Sequence, residues 1–538
     1  MDDLRLRRLV RQRGSEGSEG SEGSEAHVSG LRLRPVGDRA ILAELPDLDS
    51  VHGLVAAARK AASAGELAGA VDIIPGYRTV LVTGLDSAAL ATALRRLEPV
   101  PAEEVAAHEP VEVGVVYDGE DLAEAAELVG MSESELIERH TAGDYRVAFL
   151  GFTPGFPYLV GLDPALHVPR RSTPRTTVPA GAVGLAGAQT GIYPRSSPGG
   201  WQLIGRTDAV LFDPDRDPPA LLAPGDRLRF VARETADLPA VAERPGLAGG
   251  DVTVRRPGPL TTVQDLGRTG FASIGVPVSG AADPRSARLA NRLVGNVETA
   301  AVLEVTLGGL ELAFARPAFV AVCGADAPVL LNGAGVGEDN AIRVGAGDLV
   351  TVGSARRGLR SYLAVRGGID VPAVLGSRST DTLADLGPAP LREGDQLAVG
   401  TATNDAEVQH ELVPTRSPPD VVELRVVPGP RDDRLTGEGL HQLFATPWTV
   451  TSSSDRTGLR LDGPELARSN SEELLSEGIV AGALQVPPNG RPILFLSNHP
   501  TTGGYPVVGV VASEDLPLAG QAGPGTMLRF RRIAPPAL

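Results

Sequence analysis

Three short landmarks occur twice in this chain, in the same order, and this repetition constrains the fold more than any single residue does. In the first copy Val178-Pro179-Ala180-Gly181 is followed by Pro198-Gly199-Gly200-Trp201 and then by Pro224-Gly225-Asp226-Arg227-Leu228-Arg229-Phe230. In the second, Val486-Pro487-Pro488-Asn489-Gly490 leads to Thr502-Gly503-Gly504-Tyr505-Pro506 and to Pro524-Gly525-Thr526-Met527-Leu528-Arg529-Phe530. Each final Pro-Gly step suits a type II turn, because proline presets the first central φ and glycine accepts the positive φ at the second. Leu and Phe then alternate with other residues, the two-residue period of a half-buried strand. Two domains of one barrel-like architecture are expected.

A chain of 538 residues is too long for one hydrophobic core. Turn and composition signals divide it into a basic and Gly-Ser-Glu tail over 1–30, expected to be disordered, and a small α/β domain over 31–105. A barrel domain over 106–234 follows, then an Ala-, Pro- and Gly-rich linker over 235–250. A first β domain over 251–415 and a second, barrel-like one over 416–538 complete the chain. Within the α/β domain, strands are predicted at 40–45, 70–74 and 79–83 and helices at 51–64 and 87–97. In the barrel domain, Asp121 and Ser132 stand where N-caps would open two helices. The expected fold class is α+β, mainly β.

Charge and composition exclude several functions. A formal net charge of -17 opposes nonspecific nucleic-acid binding, which needs clustered cations. The single cysteine, Cys323, rules out an intrachain disulfide and a cysteine zinc cluster, and it suits a reducing cytoplasm. No stretch approaches the roughly 20 apolar residues of a membrane span. The only lysine is Lys60, in Ala-Ala-Arg-Lys-Ala-Ala. A phosphate-binding P-loop and a biotinyl lysine are therefore both absent from this chain. Partners are expected among small molecules and other proteins, and self-association is left open.

Four aromatic residues crowd into Phe149 to Leu159, among them Phe152, Phe156 and Tyr158, although aromatics are only 4% of the chain. Interleaved with Gly and Pro, they either present flat apolar surfaces to a ligand or buttress the core. Arg170, Arg171 and Arg175 concentrate guanidinium groups on the next loop, suited to a carboxylate or phosphate or simply exposed. Gln189, Tyr193, Gly199, Gly200, Trp201 and Arg206 add further polar and aromatic groups downstream.

The run from Gly151 to Thr207, with Gly-Phe-x-Pro-Gly-Phe-x-Tyr-Leu and Pro-Gly-Gly-Trp, resembles allophanate hydrolase subunit 1, the family of KipI and of the 5-oxoprolinase B subunit. The second half resembles the partner family, allophanate hydrolase subunit 2, which includes KipA and the 5-oxoprolinase C subunit. The blocks that carry this are Gly258 to Arg268, Gly275 to Asp283, Asn291, Gly295-Asn296, Glu304, Gly324 to Asp326, Arg366 to Ile369 and Gly376 to Asp381. Ser454 to Arg460, Leu474 to Gly478, Gln485 to Pro488 and Thr502 to Pro506 extend the match. One departure is Asn498, in Ser497-Asn498-His499-Pro500, where the family is expected to carry aspartate.

The resemblance implies cyclophilin-like β barrels in both halves and a fused component of an ATP-dependent 5-oxoprolinase, which opens 5-oxo-L-proline to L-glutamate. It implies ATP with Mg2+ and a separate 5-oxoprolinase partner of the LamB/YcsF type, with no biotin on this chain. The catalytic candidates are His140, which is otherwise a helix cap, Arg206, Glu304, which is otherwise a buried, hydrogen-bonded structural carboxylate, and Asp326, with no metal ligand named. The implied binding residues are Phe152, Phe156, Tyr158, Arg170, Gln189, Tyr193, Gly199, Gly200 and Trp201 in the first half. In the second they are Gln264, Asp265, Arg268, Ser279, Asp283, Arg456, Gln485, Gly503, Gly504 and Tyr505. Two other readings stand beside this one: a carboxyl-transfer component of a urea carboxylase, and a regulator of a sensor kinase. Fusing an inhibitor to its antagonist would silence both, since a tether imposes a roughly millimolar effective concentration. The site is expected in the groove between the two cyclophilin-like halves.

Overall fold

The computed structural model describes residues 31–84, 86–101, 109–236, 246–402, 408, 419–470, 472 and 474–537. The predicted tail over 1–30 and most of the predicted linker and of the composition shift over 404–420 lie outside them.

The first unit is a four-stranded antiparallel sheet with helices on one face. Its strands run in the order Arg32–Val36, Ala40–Glu44, Thr79–Gly84, Ala70–Pro75. The first of these strands was not among those the sequence pattern predicts. Leu48–Ser63 and Ser87–Leu94 are the helices, opened by Asp47 and Asp86, whose carboxylates accept from the first-turn N–H groups. Ile41, Val80 and Val82 pack under the helices, while Val36, Ala40, Leu42, Ile74 and Leu81 turn to the opposite face. Period-two alternation therefore gives this small sheet two apolar faces, and the second needs a partner.

Two seven-stranded rings provide the barrels. In strand-neighbour order the first reads Val111–Val115, Gln202–Arg206, Ala182–Ala186, Gln189–Ile192, Pro157–Val160, Tyr145–Leu150, Arg227–Ala232. It closes through a bridge between Val116 and Arg206, with N···O distances of 2.8 and 2.9 Å. The second is a closed barrel in the matching order: Val421–Pro428, Val507–Val511, Ala483–Gln485, Ile493–Phe495, Gly458–Asp462, Trp448–Val450, Met527–Arg532. Each ring has one parallel pair, joining its first and last strands, and each carries a two-stranded side ribbon.

The repeated landmarks map onto this shared topology in two cases of three. Ala223 to Asp226 and Gly523 to Thr526 form turns closed by N···O contacts of 3.1 and 3.0 Å, with Gly225 and Gly525 at φ 98° and 87°. The last strands follow, with Leu228, Phe230, Leu528 and Phe530 facing inward. The Gly-Gly landmarks both fall at the side ribbons. The first landmark is offset by a strand. Val178 to Gly181 precedes strand Ala182–Ala186, whereas Val486 to Gly490 follows strand Ala483–Gln485. The structural counterpart of Val178-Pro-Ala-Gly is Ile479-Val-Ala-Gly, whose Gly482 has φ 87° where Gly181 has φ 80°. Pro-Gly-type turns recur at both ends of a short strand, and a match by composition slipped from one end to the other.

Ser132 caps its helix as predicted, accepting from Glu135 N at 3.2 Å. Asp121 makes no cap. Its carboxylate accepts instead from Arg171 Nη1 and Arg175 Nη2, both at 2.7 Å, and from Leu203 N at 2.7 Å.

The unit between the barrels is a sandwich of a seven-stranded and a five-stranded sheet around one core that includes Val254, Leu303, Val305, Leu312, Val322 and Leu363. In the five-stranded sheet, Val302–Thr306 pairs with Arg357–Val365, which pairs with Ala318–Asp326. Alternation sends Leu303 and Val305 into the sandwich and Glu304 to the outer face, in register with Tyr362 and hence with Cys323. Helix Pro284–Leu293 covers part of that face through Ala287, Ala290 and Leu293. Cys323 is a buried core thiol there. The C-terminal barrel covers Glu304 through Arg456.

Candidate functional site at the junction of the two halves

Burying a carboxylate on an outer sheet face requires matched partners, and Glu304 has them on every side. Its Oε2 accepts from Ala282 N and from the Tyr362 hydroxyl, each at 2.9 Å. Its Oε1 takes Arg456 Nη1 from the C-terminal barrel, with Arg360 Nε at 3.4 Å. Burial alone pushes the Glu304 carboxyl up, but Arg456, Arg360 and the Ala282 N–H outweigh it and hold it below the ordinary glutamate value.

From Arg456 the network continues to the loop before strand Val507–Val511. Arg456 Nη2 donates to Gly280 O at 2.5 Å and to Asn498 Oδ1 at 3.2 Å. Asn498 Nδ2 donates to Asp381 Oδ1 at 3.0 Å and to Thr382 Oγ1 at 3.3 Å. Ser279 Oγ lies 3.2 Å from both Asn498 Oδ1 and Thr380 O. Ser279 has φ 58°, a left-handed conformation that is uncommon for a residue with a side chain. On the far side Tyr362 accepts from Asp283 N at 2.7 Å, and Gln521 joins Asp283 Oδ2 at 2.9 Å to Arg360 N at 3.0 Å. Burial raises the Asp381 carboxyl, and the Ala384 N–H and Arg268 offset this only in part.

The junction draws on three units. The second face of the first sheet, with Val36, Leu42, Ile74 and Leu81, packs on Ile479, Ala483, Phe495, Val507 and Val510 of the C-terminal barrel and on Ala272 of the sandwich. Arg431 fastens the contact by bonding both Glu44 and Glu477. Asp38 accepts from Ser513 N and Oγ at 3.1 and 2.6 Å. Between these surfaces lies a cleft of about 340 Å³ lined by Asp38, Arg39, Asp72, Ser279, His499 and Thr501 over an apolar wall. Ser279 is where the buried network reaches it.

The expected site residues divide accordingly. Gln264, Asp265, Arg268, Ser279, Asp283, Glu304 and Arg456 come together. Gln264 Nε2 donates to Thr380 O at 2.9 Å, Arg268 to Ser379 O, and Asp265 accepts from Ser377 Oγ at 2.6 Å and Arg378 N at 2.7 Å. Gln485, Gly503, Gly504 and Tyr505 form another patch, with Gln485 Nε2 donating to Tyr505 O at 2.9 Å beside the second side ribbon. Asp326 ends its strand 3.9 Å from Arg356 and is not a partner of Glu304. Arg360, Tyr362 and Gln521 were missed, and Asp381 was quoted in a motif block without being named as a site residue. Nothing local marks a single polar residue in a strand as part of such a network.

The first-half candidates lie in other surroundings. His140 is fully buried, 2.7 Å from the Tyr117 hydroxyl and 3.1 Å from Thr190 Oγ1, and stacks on Phe230 at 4.5 Å. Burial drives it down to about 3, which keeps it neutral at physiological pH. Phe156, Tyr193 and Trp201 are 2%, 2% and 6% exposed, and Phe156 meets the other two edge-on at 5.1 and 5.5 Å, with Tyr158 and Phe152 packed against them. The aromatic loop therefore closes a core. Gly199 sits where a Cβ would strike the Tyr193 hydroxyl at 2.3 Å, which makes it a packing residue. Gly200 and Gln189 are half-buried beside it. Arg206 pairs with Asp118 at 2.9 Å on a partly exposed strand end. Arg170 is exposed, whereas Arg171 and Arg175 are held by Asp121. The cleft takes no described residue from the first barrel, so it is not the groove between barrels that the sequence suggested. The barrels do touch, at Gly151, where a Cβ would lie 2.0 Å from Thr502 Oγ1.

Two barrels of one topology, one bearing an α/β unit and the other a β sandwich, with a polar site where they meet, define a class of two-part carboxyltransferase-type protein. Residues 31–222 match the carboxyltransferase domain, subdomain C and D, and residues 274–532 match subdomain A and B. The chain belongs to this family, and it joins in one polypeptide a half like the B subunit of 5-oxoprolinase and a half like the C subunit. It is 45% identical to the 5-oxoprolinase B subunit of Escherichia coli O157:H7 over 37% of this chain and 94% of that one. It is 38% identical to the C subunit from Escherichia coli K12 over 51% of this chain and 89% of that one. The crystal structure of TTHA0988 superimposes with a TM-score of 0.83 at 36% identity, covering 92% of this chain and 99% of that one. The urea amidolyase of Lachancea kluyveri is 34% identical over 52% of this chain but only 17% of its own length.

Proposed function

We propose that this chain is the joined B and C component of an ATP-dependent 5-oxoprolinase, and that its junction cleft holds the lactam that is opened to glutamate. The observation that carries the reading is that the cleft needs both halves: its walls come from the first sheet, the sandwich and the C-terminal barrel together. Relatives of each half bear the name of one enzyme. In this reading the Glu304–Arg456 network fixes Ser279 and the Ser497 to Thr501 loop at the cleft. A LamB/YcsF-type partner completes the enzyme in the cytoplasm.

A lactam resists water because its amide is resonance-stabilised, and phosphorylation of its oxygen makes it a better electrophile. ATP is thus the second substrate. Of the arginines that the sequence offered for its phosphates, Arg171 and Arg175 are committed to Asp121 and Arg206 to Asp118, while Arg170 is exposed. No nucleotide-dependent step is assigned to a residue of this chain. Among the described residues no three His, Cys, Asp or Glu side chains converge as metal ligands, so Mg2+ is proposed to arrive with ATP.

The test is glutamate and phosphate release from ATP and 5-oxo-L-proline by the purified chain with its LamB/YcsF-type partner. Release that requires all four components is expected. No turnover in the complete mixture, with carboxyl transfer from carboxybiotin in its place, would overturn the reading and support the one drawn from urea amidolyase.

A further inference from the structure

Arg39, His499 and Thr501 line the cleft beside Ser279, and each brings a polar group that the fold leaves unused. Arg39 is exposed, and no ion pair or hydrogen bond engages its guanidinium among the described residues. The nearby carboxylates accept from the fold, Asp38 from Ser513 and Asp72 Oδ1 from Ala272 N at 2.9 Å. Thr501 is completely buried, and its hydroxyl has no partner among the described residues. A buried hydroxyl left unpaired is destabilising, so one kept at a cleft wall is suited to a ligand.

His499 has a defined tautomer. Its Nδ1 lies 2.9 Å from Pro500 O, and a carbonyl only accepts, so Nδ1 carries the proton. Nε2 is left with a lone pair. Burial lowers the imidazole to about 4, which keeps it neutral and preserves Nε2 as an acceptor. The remaining wall, with Ile74, Val278 and Val510, is apolar, and about 340 Å³ is at the small end of ligand pockets.

We propose that this cleft recognises a small cyclic amide carrying a carboxylate, with Arg39 taking the carboxylate, His499 Nε2 accepting the amide N–H, and Thr501 donating to the amide carbonyl. The assignment rests on the reading of the cleft as the substrate site. The ring N–H of a lactam has one proton to give and no charge, which matches the neutral acceptor at His499 Nε2.

The experiment is calorimetric titration of the full chain with 5-oxo-L-proline, 2-pyrrolidinone, N-methyl-5-oxoproline and L-proline. Removal of the ligand's carboxylate or N–H is expected to weaken binding at least about tenfold, the effect of one lost hydrogen bond to a charged or buried group. In Arg39→Ala the difference between 5-oxoproline and 2-pyrrolidinone should vanish. In His499→Gln, whose amide oxygen also accepts, binding should be partly retained, whereas His499→Phe should lose the preference for N–H over N-methyl. Thr501→Val should weaken 5-oxoproline and spare L-proline. Equal affinity for all four ligands, or an Arg39→Ala chain with unchanged carboxylate preference, overturns the assignment. If the complete enzyme still turns over 5-oxoproline with an unchanged KM in Arg39→Ala, the proposed function stands and this inference falls. If the chain shows the stated preferences and the complete mixture does not form glutamate, the inference stands and the function falls.

Discussion

Arg456 of the C-terminal barrel ion-pairs with Glu304 of the sandwich, their side chains 2% and 0% exposed. Two units thus hide one charge each in a shared interface, and neither charge has this partner if the units separate. Burial of a matched pair adds little net stability by itself, but the loss of one member leaves an uncompensated charge.

Glu304→Ala should therefore destabilise the chain by about 3–5 kcal/mol, and Arg456→Met by a comparable amount. The double variant should recover part of the loss. Urea unfolding of the three variants measures this, and a double variant as unstable as the sum of the singles would show that the pair does not interact.

The same carboxylate makes a pH prediction. Its folded-state pKa is held below the ordinary glutamate value of 4.5, so its contribution is fully present above about pH 4.5. That contribution is lost as pH falls below 4.5 through the lowered folded value. Glu304→Gln should be less stable than the parent at neutral pH, and the gap should narrow on acidification below about pH 4.5, as thermal unfolding across roughly pH 3–7 would reveal.

Asn498 offers its oxygen to Arg456 and its amide to Asp381. Asn498→Asp would place a second carboxylate against Asp381 Oδ1, now 3.0 Å from Nδ2. Like charges at that range raise at least one of the two pKa values. The folded state then retains a proton that the unfolded state releases, so the variant should lose stability relative to the parent as pH rises above about 4. The expected difference in melting temperature is larger at about pH 8 than at about pH 5. A constant difference would mean that the loop moves the carboxylates apart.

His140 should act through packing. His140→Gln should lower stability by about 1–3 kcal/mol by disturbing Tyr117 and Thr190. The pH–rate profile of the assembled enzyme between about pH 6 and 9 should keep its shape. A lost limb near pH 6.5, about the ordinary histidine value, would restore His140 as an acid–base group.

Arg431 joins Glu44 of the first sheet to Glu477 of the C-terminal barrel. Arg431→Ala leaves the two carboxylates facing each other and should loosen that contact first. Hydrogen exchange of strands Ala40–Glu44 and Thr79–Gly84 should then quicken by roughly tenfold or more, with the first barrel unaffected.

Much of the site was legible as motif blocks. Gln264, Asp265, Arg268, Ser279, Asp283, Glu304 and Arg456 were singled out, and the fold gathers all seven around one network. Their legibility came from ordered resemblance, since no spacing rule relates Glu304 to Arg456, 152 positions apart. The aromatic loop left two readings open for a physical reason. A Gly- and Pro-rich turn crowded with aromatics has the same composition whether its rings face a ligand or one another, and here Phe156, Tyr193 and Trp201 face one another. Arg39 and His499 fell inside quoted motifs without being named as site residues, and Thr501 was not singled out, because a cleft wall is assembled from three units that are distant in sequence.

What the sequence determined by itself was local. Pro224-Gly225 and Pro524-Gly525 dictate tight turns with glycine at positive φ, and the Leu and Phe that follow dictate strands with one buried face, because φ preference and two-residue periodicity act within a few residues. Whether Glu304 would be buried was decided only by tertiary structure. Alternation places it on the outer face of its sheet, which helix Pro284–Leu293 covers in part, and the docked C-terminal barrel brings Arg456 over it. The cleft follows the same rule. Its walls exist only because the two apolar faces of the first sheet cannot both be covered by its own helices.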